Sequence, residues 1–236
     1  MKKVLLYSGG MDSWLISKLW NPDIKLYIDM KSSYSREEIS KLPDDVKVVY
    51  FPLREWERED KIIPLRNLYL CMVACNITGN EDVDICIGAT AGDRVLDKSK
   101  EFVDKATELL SYLYSPQWWL PNGKRVKISI YYKDYTKEML LKEFKKSGGN
   151  LDEAFQKSFS CYNPKQGKEC WCCKPCFRKF VAFSSIGYKF DSDVLNTVIP
   201  YIKSEILPQI KNGTYGRGKE EEEAILRCVQ EYDNCS

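Results

Sequence analysis

Val4-Leu5-Leu6-Tyr7-Ser8-Gly9-Gly10-Met11-Asp12-Ser13-Trp14-Leu15-Ile16 is the stretch that decides the fold. A short apolar run, a glycine turn and apolar residues at helical spacing predict a strand that turns sharply into a helix. Adjacent Gly9 and Gly10 let the backbone approach a ligand closely, because no Cβ intervenes. The first amides of the following helix lack partners within it, and the helix dipole favours an anion at that end, so phosphate is the expected guest. Asp12 lies in the same turn, placed to hold a divalent cation against phosphate oxygens. No Lys-Ser or Lys-Thr pair follows a spaced glycine, which separates this turn from the common ATPase loop.

Beyond this turn the chain alternates. Ile24–Asp29 and Val46–Phe51 read as strands, with a helix near Ser35–Leu42 between them whose Ser35 and Glu38 form a capping-box pattern. Val83–Gly88 and Val126–Tyr131 read as further strands, and Leu68–Thr78, Glu101–Leu113 and Thr136–Lys146 as helices, the last ended by Gly148-Gly149. Such alternation predicts a doubly wound parallel sheet with helices on both faces and ligands at the carboxyl ends of its strands. Asp29 falls at that edge, near the expected ribose or base of a nucleotide. Pro64 stiffens the approach to the next helix, and Arg66 at its opening offers a planar donor fork to phosphate. Gly88-Ala89-Thr90-Ala91-Gly92-Asp93 is a small-residue loop suited to close ligand approach. Cys71 and Cys75 share a helical face and read as core thiols. Trp118 and Trp119 are suited to stacking on a planar base, although aromatic pairs more often serve packing.

The 236 residues suffice for one domain and a smaller appendage, and we place an α/β nucleotide-binding domain at 1–150 and a helical C-terminal subdomain at 151–236. A net charge of +2 gives no electrostatic case for nucleic acid or an anionic membrane, and no apolar run approaches a membrane span. A cytoplasmic location is expected, host cytoplasm if the source is a phage. The chain has no histidine, which excludes Ser-His and Cys-His catalysis and every histidine-ligated metal. Of its ten cysteines, five lie between positions 161 and 176. Clustering of that kind reads as metal binding in an intracellular protein. In Cys161-x8-Cys170-x2-Cys173-x2-Cys176 the paired spacings predict a tetrahedral thiolate site, with Cys172 the extra thiol. Zn2+ is the default occupant and an iron–sulfur cluster the rival. Lys168, Lys174, Arg178 and Lys179 are placed to offset the thiolate charge. The acidic run Glu220–Glu223 suits a helix start.

Ser8-Gly9-Gly10-Met11-Asp12-Ser13 resembles the Ser-Gly-Gly-x-Asp-Ser signature of the PP-loop ATP pyrophosphatases, whose fold is adenine nucleotide alpha hydrolase-like. Together with the cysteine segment it resembles the 7-cyano-7-deazaguanine synthase family. Pro64-Leu65-Arg66-Asn67 is similar to that family's Pro-x-Arg-Asn segment, and Ile87 to Asp93 to its glycine-bearing loop. Ser160-Cys161-Tyr162 with Cys170, Cys173 and Cys176 matches its zinc segment. Three departures stand out. Met30-Lys31-Ser32-Ser33-Tyr34 replaces a Gly-Gln and a histidine. Tyr131-Tyr132 replaces a Pro-Leu, with Lys137 the candidate for the lysine that follows. Trp171 replaces a glycine after the second cysteine. They suggest a divergent member of the kind a phage encodes, whose product would serve DNA rather than tRNA modification.

The resemblance implies an ATP-dependent carbon–nitrogen ligase that takes 7-carboxy-7-deazaguanine and ammonia to the nitrile, as a homodimer that binds no nucleic acid directly. It implies ATP and Mg2+ at Ser8, Gly9, Gly10, Met11, Asp12 and Ser13, with Asp29, Arg66, Asn67 and Gly88 completing the nucleotide site. Asp12, Ser13, Arg66, Lys137 and Asp93 are the candidates for the chemistry. Zn2+ on Cys161, Cys170, Cys173 and Cys176 would be structural. The alternatives are a variant that stops at the amide, a PP-loop tRNA thiolase carrying an iron–sulfur cluster, and a non-catalytic nucleotide-binding module.

Overall fold

The computed structural model describes residues 1–233. Two compact units divide at Asp134, the first being Met1–Asp134. In the first, β1 (Lys2–Leu6), β2 (Ile24–Asp29), β3 (Val46–Tyr50), β4 (Val83–Ile87) and β5 (Val126–Ser129) form one sheet in the order β3-β2-β1-β4-β5. All four pairings are parallel. Alternation therefore correctly predicts both the strands and the doubly wound class.

The helices are α1 (Met11–Trp20), α2 (Ser35–Ile39), α3 (Arg66–Ile77) and α4 (Lys100–Leu113). The chain winds outward from β1 to β3, returns to β4 and winds outward again. Right-handed crossovers then put α1 and α2 on one face and α3 and α4 on the other. Cys71, Ala74 and Cys75 of α3 and Val103, Ala106 and Leu110 of α4 share a core with Val4, Leu6, Leu26, Ile28, Ile85 and Ile128. Leu5 and Tyr7 alternate to the opposite face and are also buried. Because both faces are covered, the strands read as continuous apolar runs. Burial pushes the thiols of Cys71 and Cys75 up, Cys75 to about 11, which fits inert core thiols.

The predicted cap at Ser35 does not form. Ser35 is the first helical residue, and its hydroxyl lies 3.0 Å from that of Ser32 and donates to the Ser32 carbonyl at 3.1 Å. A nearer acceptor has captured the side chain that would have capped the amides. Glu38 is thereby released from the capping box.

The second unit, from Tyr135 on, is helical: α5 (Lys137–Lys146), α6 (Leu151–Lys157), α7 (Lys174–Ser184), α8 (Ser192–Tyr201), α9 (Leu207–Lys211) and α10 (Lys219–Asp233). Thr136 caps α5 by accepting from the Met139 amide at 3.1 Å. Gly148 then takes a φ of +88°, and Gly149 lies so near Phe144 that a Cβ would come within 2.3 Å of its ring. Both glycines of the predicted stop are thus required. Phe177, Phe180, Val198, Ile202, Ile206 and Ile225 form the core of this unit. Glu220, Glu221 and Glu222 occupy the first turn of α10, where the dipole favours them. Among the described residues no helix is long and apolar enough to cross a membrane.

Candidate functional site

The sheet order reverses between β1 and β4, and the crevice beyond such a switch point is where open α/β sheets bind ligands. The turn after β1 lies there. Gly9 takes a φ of +75°, which a side chain would resist, and Gly10, the N-cap of α1, has no side chain with which to cap the helix amides. Ser13 Oγ donates to the Gly10 carbonyl at 3.0 Å, accepts from the Ser8 amide at 3.2 Å and lies 3.1 Å from Ser8 Oγ. The serines thus brace the turn at the N-terminus of α1, the end whose dipole favours an anion.

Against this turn lies a cavity of about 140 Å3 within the first unit. Its walls include Ser8 and Ser13 beside β1, Gly88 beyond β4, Met30 beyond β2, and Arg66 and Asn67 opening α3. Leu6, Leu26, Ile28, Leu70 and Ile87 line its apolar part. Five further polar residues complete it: Tyr7, Tyr27, Tyr34, Glu38 and Lys98. Tyr27 Oη donates to Glu38 Oε2 at 2.8 Å. Removal from water pushes the Glu38 carboxyl up to about 7, although the Tyr27 hydrogen bond and the positive charge of Arg66 both pull it down.

The Gly88–Asp93 loop is fastened from several sides. Asp93 Oδ2 accepts from the Thr90 amide at 3.1 Å and from Lys98 Nζ at 3.0 Å. Lys133 Nζ donates to the Asp93 carbonyl at 2.6 Å. Asn67 holds the turn bearing Lys98, its amide and Nδ2 donating to Asp97 at 3.3 and 3.2 Å. Asp93 and Asn67 therefore shape the site through the loops they close.

In the second unit the Sγ atoms of Cys161, Cys170, Cys173 and Cys176 all lie within 4.8 Å of one another. Four thiolates on one tetrahedral zinc, with Zn–S near 2.3 Å, stand about 3.8 Å apart, and Cys170 and Cys176 are 4.0 Å apart. The donor set is all sulfur and mostly buried, so it fits Zn2+. Cys172 lies outside the group, as its spacing suggests. Two of the cations expected to offset the cluster are committed elsewhere. Lys179 is 1% exposed and donates to the Phe155 and Ser158 carbonyls at 2.8 and 2.7 Å and to Glu169 Oε2 at 2.9 Å. Arg178 pairs with Glu221 at 3.0 Å. Lys179 thus ties the cysteine loop to α7, since Glu169 also accepts from the Ser160 amide at 2.6 Å.

Comparison with known proteins bears on both sites. The family profile described as queuosine biosynthesis protein QueC matches residues 25–187. The chain belongs to the QueC family. A curated relative, 7-cyano-7-deazaguanine synthase of Chlorobaculum parvum, is 25% identical over 225 residues, covering 79% of this chain and 93% of the relative. No solved structure matches. As a QueC-family protein the chain is an ATP-utilising ligase of the PP-loop type. The profile match begins downstream of Ser8–Ser13, so the reading of that turn stands on its own residues.

The QueC departures have physical correlates. In the Met30–Tyr34 segment that departs from the family's Gly-Gln and histidine, Tyr34 is buried and lines the cavity with Met30. Trp171 takes a φ of +56°, a backbone region that suits the glycine of the resemblance. Its ring recovers the cost by stacking on Phe155, centroids 5.8 Å apart and planes 10° apart, and by meeting Phe190 edge-on.

Of the residues singled out from sequence, Ser8, Ser13, Arg66, Asn67 and Gly88 line one cavity. Gly9, Gly10, Met11 and Asp12 form the turn and first helical turn beside it, with Met11 in the core. Asp29 Oδ1 accepts from the Lys31 amide at 2.9 Å, closing the turn after β2 rather than lining the cavity. Lys137 opens α5 in the second unit, and within the first unit Lys98 and Lys133 are the lysines seen to reach the Gly88–Asp93 loop. Trp118 is 92% exposed, so the packing reading fails for it, and it lines no part of the cavity. Sequence reasoning missed Tyr27, Glu38 and Lys98. Glu38 was noticed in the sequence, but only as the second half of a capping-box pattern, which explained its charge without a site.

Proposed function

We propose that this QueC-family protein converts 7-carboxy-7-deazaguanine and ammonia to 7-cyano-7-deazaguanine at the expense of ATP, acting as a homodimer. The observation that supports this best is the cavity at the switch point of the sheet, where an uncapped helix terminus and Arg66 face an apolar slot. A carboxylate is a poor electrophile, and transfer of AMP to one of its oxygens turns that oxygen into a leaving group. Ammonia then displaces AMP to give the amide, and a second adenylation, on the amide oxygen, allows the nitrile to form. In this reading the α1 amides with Ser8 and Ser13 hold the nucleotide phosphates, and Arg66 steadies phosphate or substrate carboxylate. We assign Asp12 to hold Mg2+, which when bound neutralises charge on the departing pyrophosphate. Zn2+ on the four cysteines would fold the cysteine loop, since a fully ligated ion has no open position for substrate.

The test is one incubation of purified protein with ATP, Mg2+, ammonium and 7-carboxy-7-deazaguanine, followed by mass spectrometry. AMP with the nitrile is expected. AMP with the amide alone means a variant that stops halfway. Neither base product from zinc-replete, ATP-binding protein refutes the substrate assignment. Asp12→Ala should abolish AMP release without unfolding the chain, and undiminished release would remove Asp12 from the chemistry.

A further inference from the structure

We propose that Glu38 is the proton acceptor of this pocket, its Oε1 taking a proton from nitrogen as the carbon–nitrogen bond forms. The inference deepens the adenylation reading above and rests on it. Ammonia that attacks an acyl adenylate gains a bond to carbon and must shed a proton as the carbon–oxygen bond to AMP breaks. In the second round the adenylated imidate sheds its remaining N–H proton as that carbon–oxygen bond breaks and the triple bond forms. Each step needs an acceptor within reach of the cavity.

The lining of the cavity narrows the choice to one group. The chain has no histidine. Among the lining residues the titratable side chains are Tyr7, Tyr27, Tyr34, Glu38, Arg66 and Lys98, and Glu38 is the sole carboxylate. Burial raises Tyr7 and Tyr27 far above neutrality, so neither supplies an anionic oxygen. Lys98 is held by Asp93, and Asp93 does not itself line the cavity. Asp12, the nearest alternative carboxylate on α1, is likewise not among the lining residues.

Glu38 is also built for the task. Tyr27 donates to its Oε2, which fixes the plane of the carboxylate, and among the described residues Oε1 accepts no hydrogen bond. Arg66 lies across the cavity at the start of α3, and its charge offsets part of the burial that would otherwise keep the carboxyl protonated. The charged and titratable groups around the cavity with it are thus Tyr7 after β1, Tyr27 from β2, Tyr34 before α2, Arg66 from α3 and Lys98. An acceptor that ionises near neutrality gains most from a proton in transit, because it is both available and basic.

The experiment compares wild type, Glu38→Gln and Glu38→Asp in two assays. The first is ATP–pyrophosphate exchange dependent on 7-carboxy-7-deazaguanine, which reports adenylation. The second is amide formation between pH 5.5 and about 8.5 with free ammonia held constant, which reports nitrogen transfer. Glu38→Gln should keep exchange within about threefold while slowing amide formation about 100-fold or more. The rise in wild-type amide formation through neutral pH should flatten in Glu38→Gln and persist in weakened form in Glu38→Asp. Unchanged amide formation with an unchanged pH profile in Glu38→Gln overturns the proposal. So does a parallel loss of exchange, which would make Glu38 a binding group. Absence of substrate-dependent exchange in the wild type instead refutes the adenylation reading, and the proposal falls with it.

Discussion

Glu38→Gln should stabilise the folded chain at pH 8 and leave it almost unchanged at pH 4.5. Glu38 has an ordinary pKa of 4.5 and one near 7 in the fold, because burial disfavours its charge. Between those values the native state holds a proton that the unfolded chain has released, so stability falls as pH rises through the window. Below about pH 4.5 both states are protonated and there is no cost, and above about pH 7 the cost is complete. At 1.36 kcal/mol per pH unit the upper bound is about 3 kcal/mol. Water that reaches the carboxylate through the cavity lowers the expected value to about 2 kcal/mol. Glutamine keeps the acceptor for Tyr27 and removes the charge, so packing is nearly conserved. Urea unfolding of both proteins at several pH values would show their stabilities diverging across this window, with equal m values. Parallel pH dependence would refute the reasoning, since it would mean that Glu38 is as well solvated in the fold as in the unfolded chain. A variant less stable than wild type at pH 8 would mean that attraction to Arg66 outweighs desolvation.

Lys179→Met should cost about 3–5 kcal/mol, because it strands the nearly buried Glu169 carboxylate and two backbone carbonyls. Denaturant unfolding checks this, and a loss below about 1 kcal/mol would show that water replaces the ammonium freely; Lys179→Met with Glu169→Gln should recover part of the loss. Cys173→Ser should lower zinc content and the unfolding temperature, both read on the same preparation by metal analysis and calorimetry. Full zinc occupancy in that variant would transfer the ligand role to Cys172. Removal of metal from the wild type by a chelator should destabilise the second unit, because close thiolates repel one another once the cation is gone.

The sheet was legible because each strand is an apolar run bounded by turn residues, and Val83–Ile87 needs no distant partner to be recognised. The glycine turn after β1 was legible for the same reason, all of its parts lying within Ser8–Ser13. The Cys161–Cys176 spacing foretold the convergence of its sulfurs, since short intervals constrain where thiolates can meet. What stayed hidden depends on distance along the chain. Tyr27 and Glu38 meet only once β2 and α2 are folded together, and Lys98 enters the cavity because Asn67 and Asp93 fix its turn. Lys179 was read as one of four cations offsetting the thiolate charge, and only the fold reveals it as buried. Ser35 misled because local hydroxyls compete for the same acceptors, and sequence alone does not rank the competitors.

The left-handed backbone at Trp171 makes its aromatic neighbours costlier to lose than their packing alone would suggest. Glycine occupies such a position without penalty, whereas any other residue pays about 1–2 kcal/mol. A tryptophan at this position without Phe155 and Phe190 would carry that penalty with nothing to offset it. Once the tryptophan is settled between them, neither phenylalanine remains separately replaceable, because losing either exposes the backbone cost that its ring had hidden. The turn and the aromatic cluster now change together or not at all.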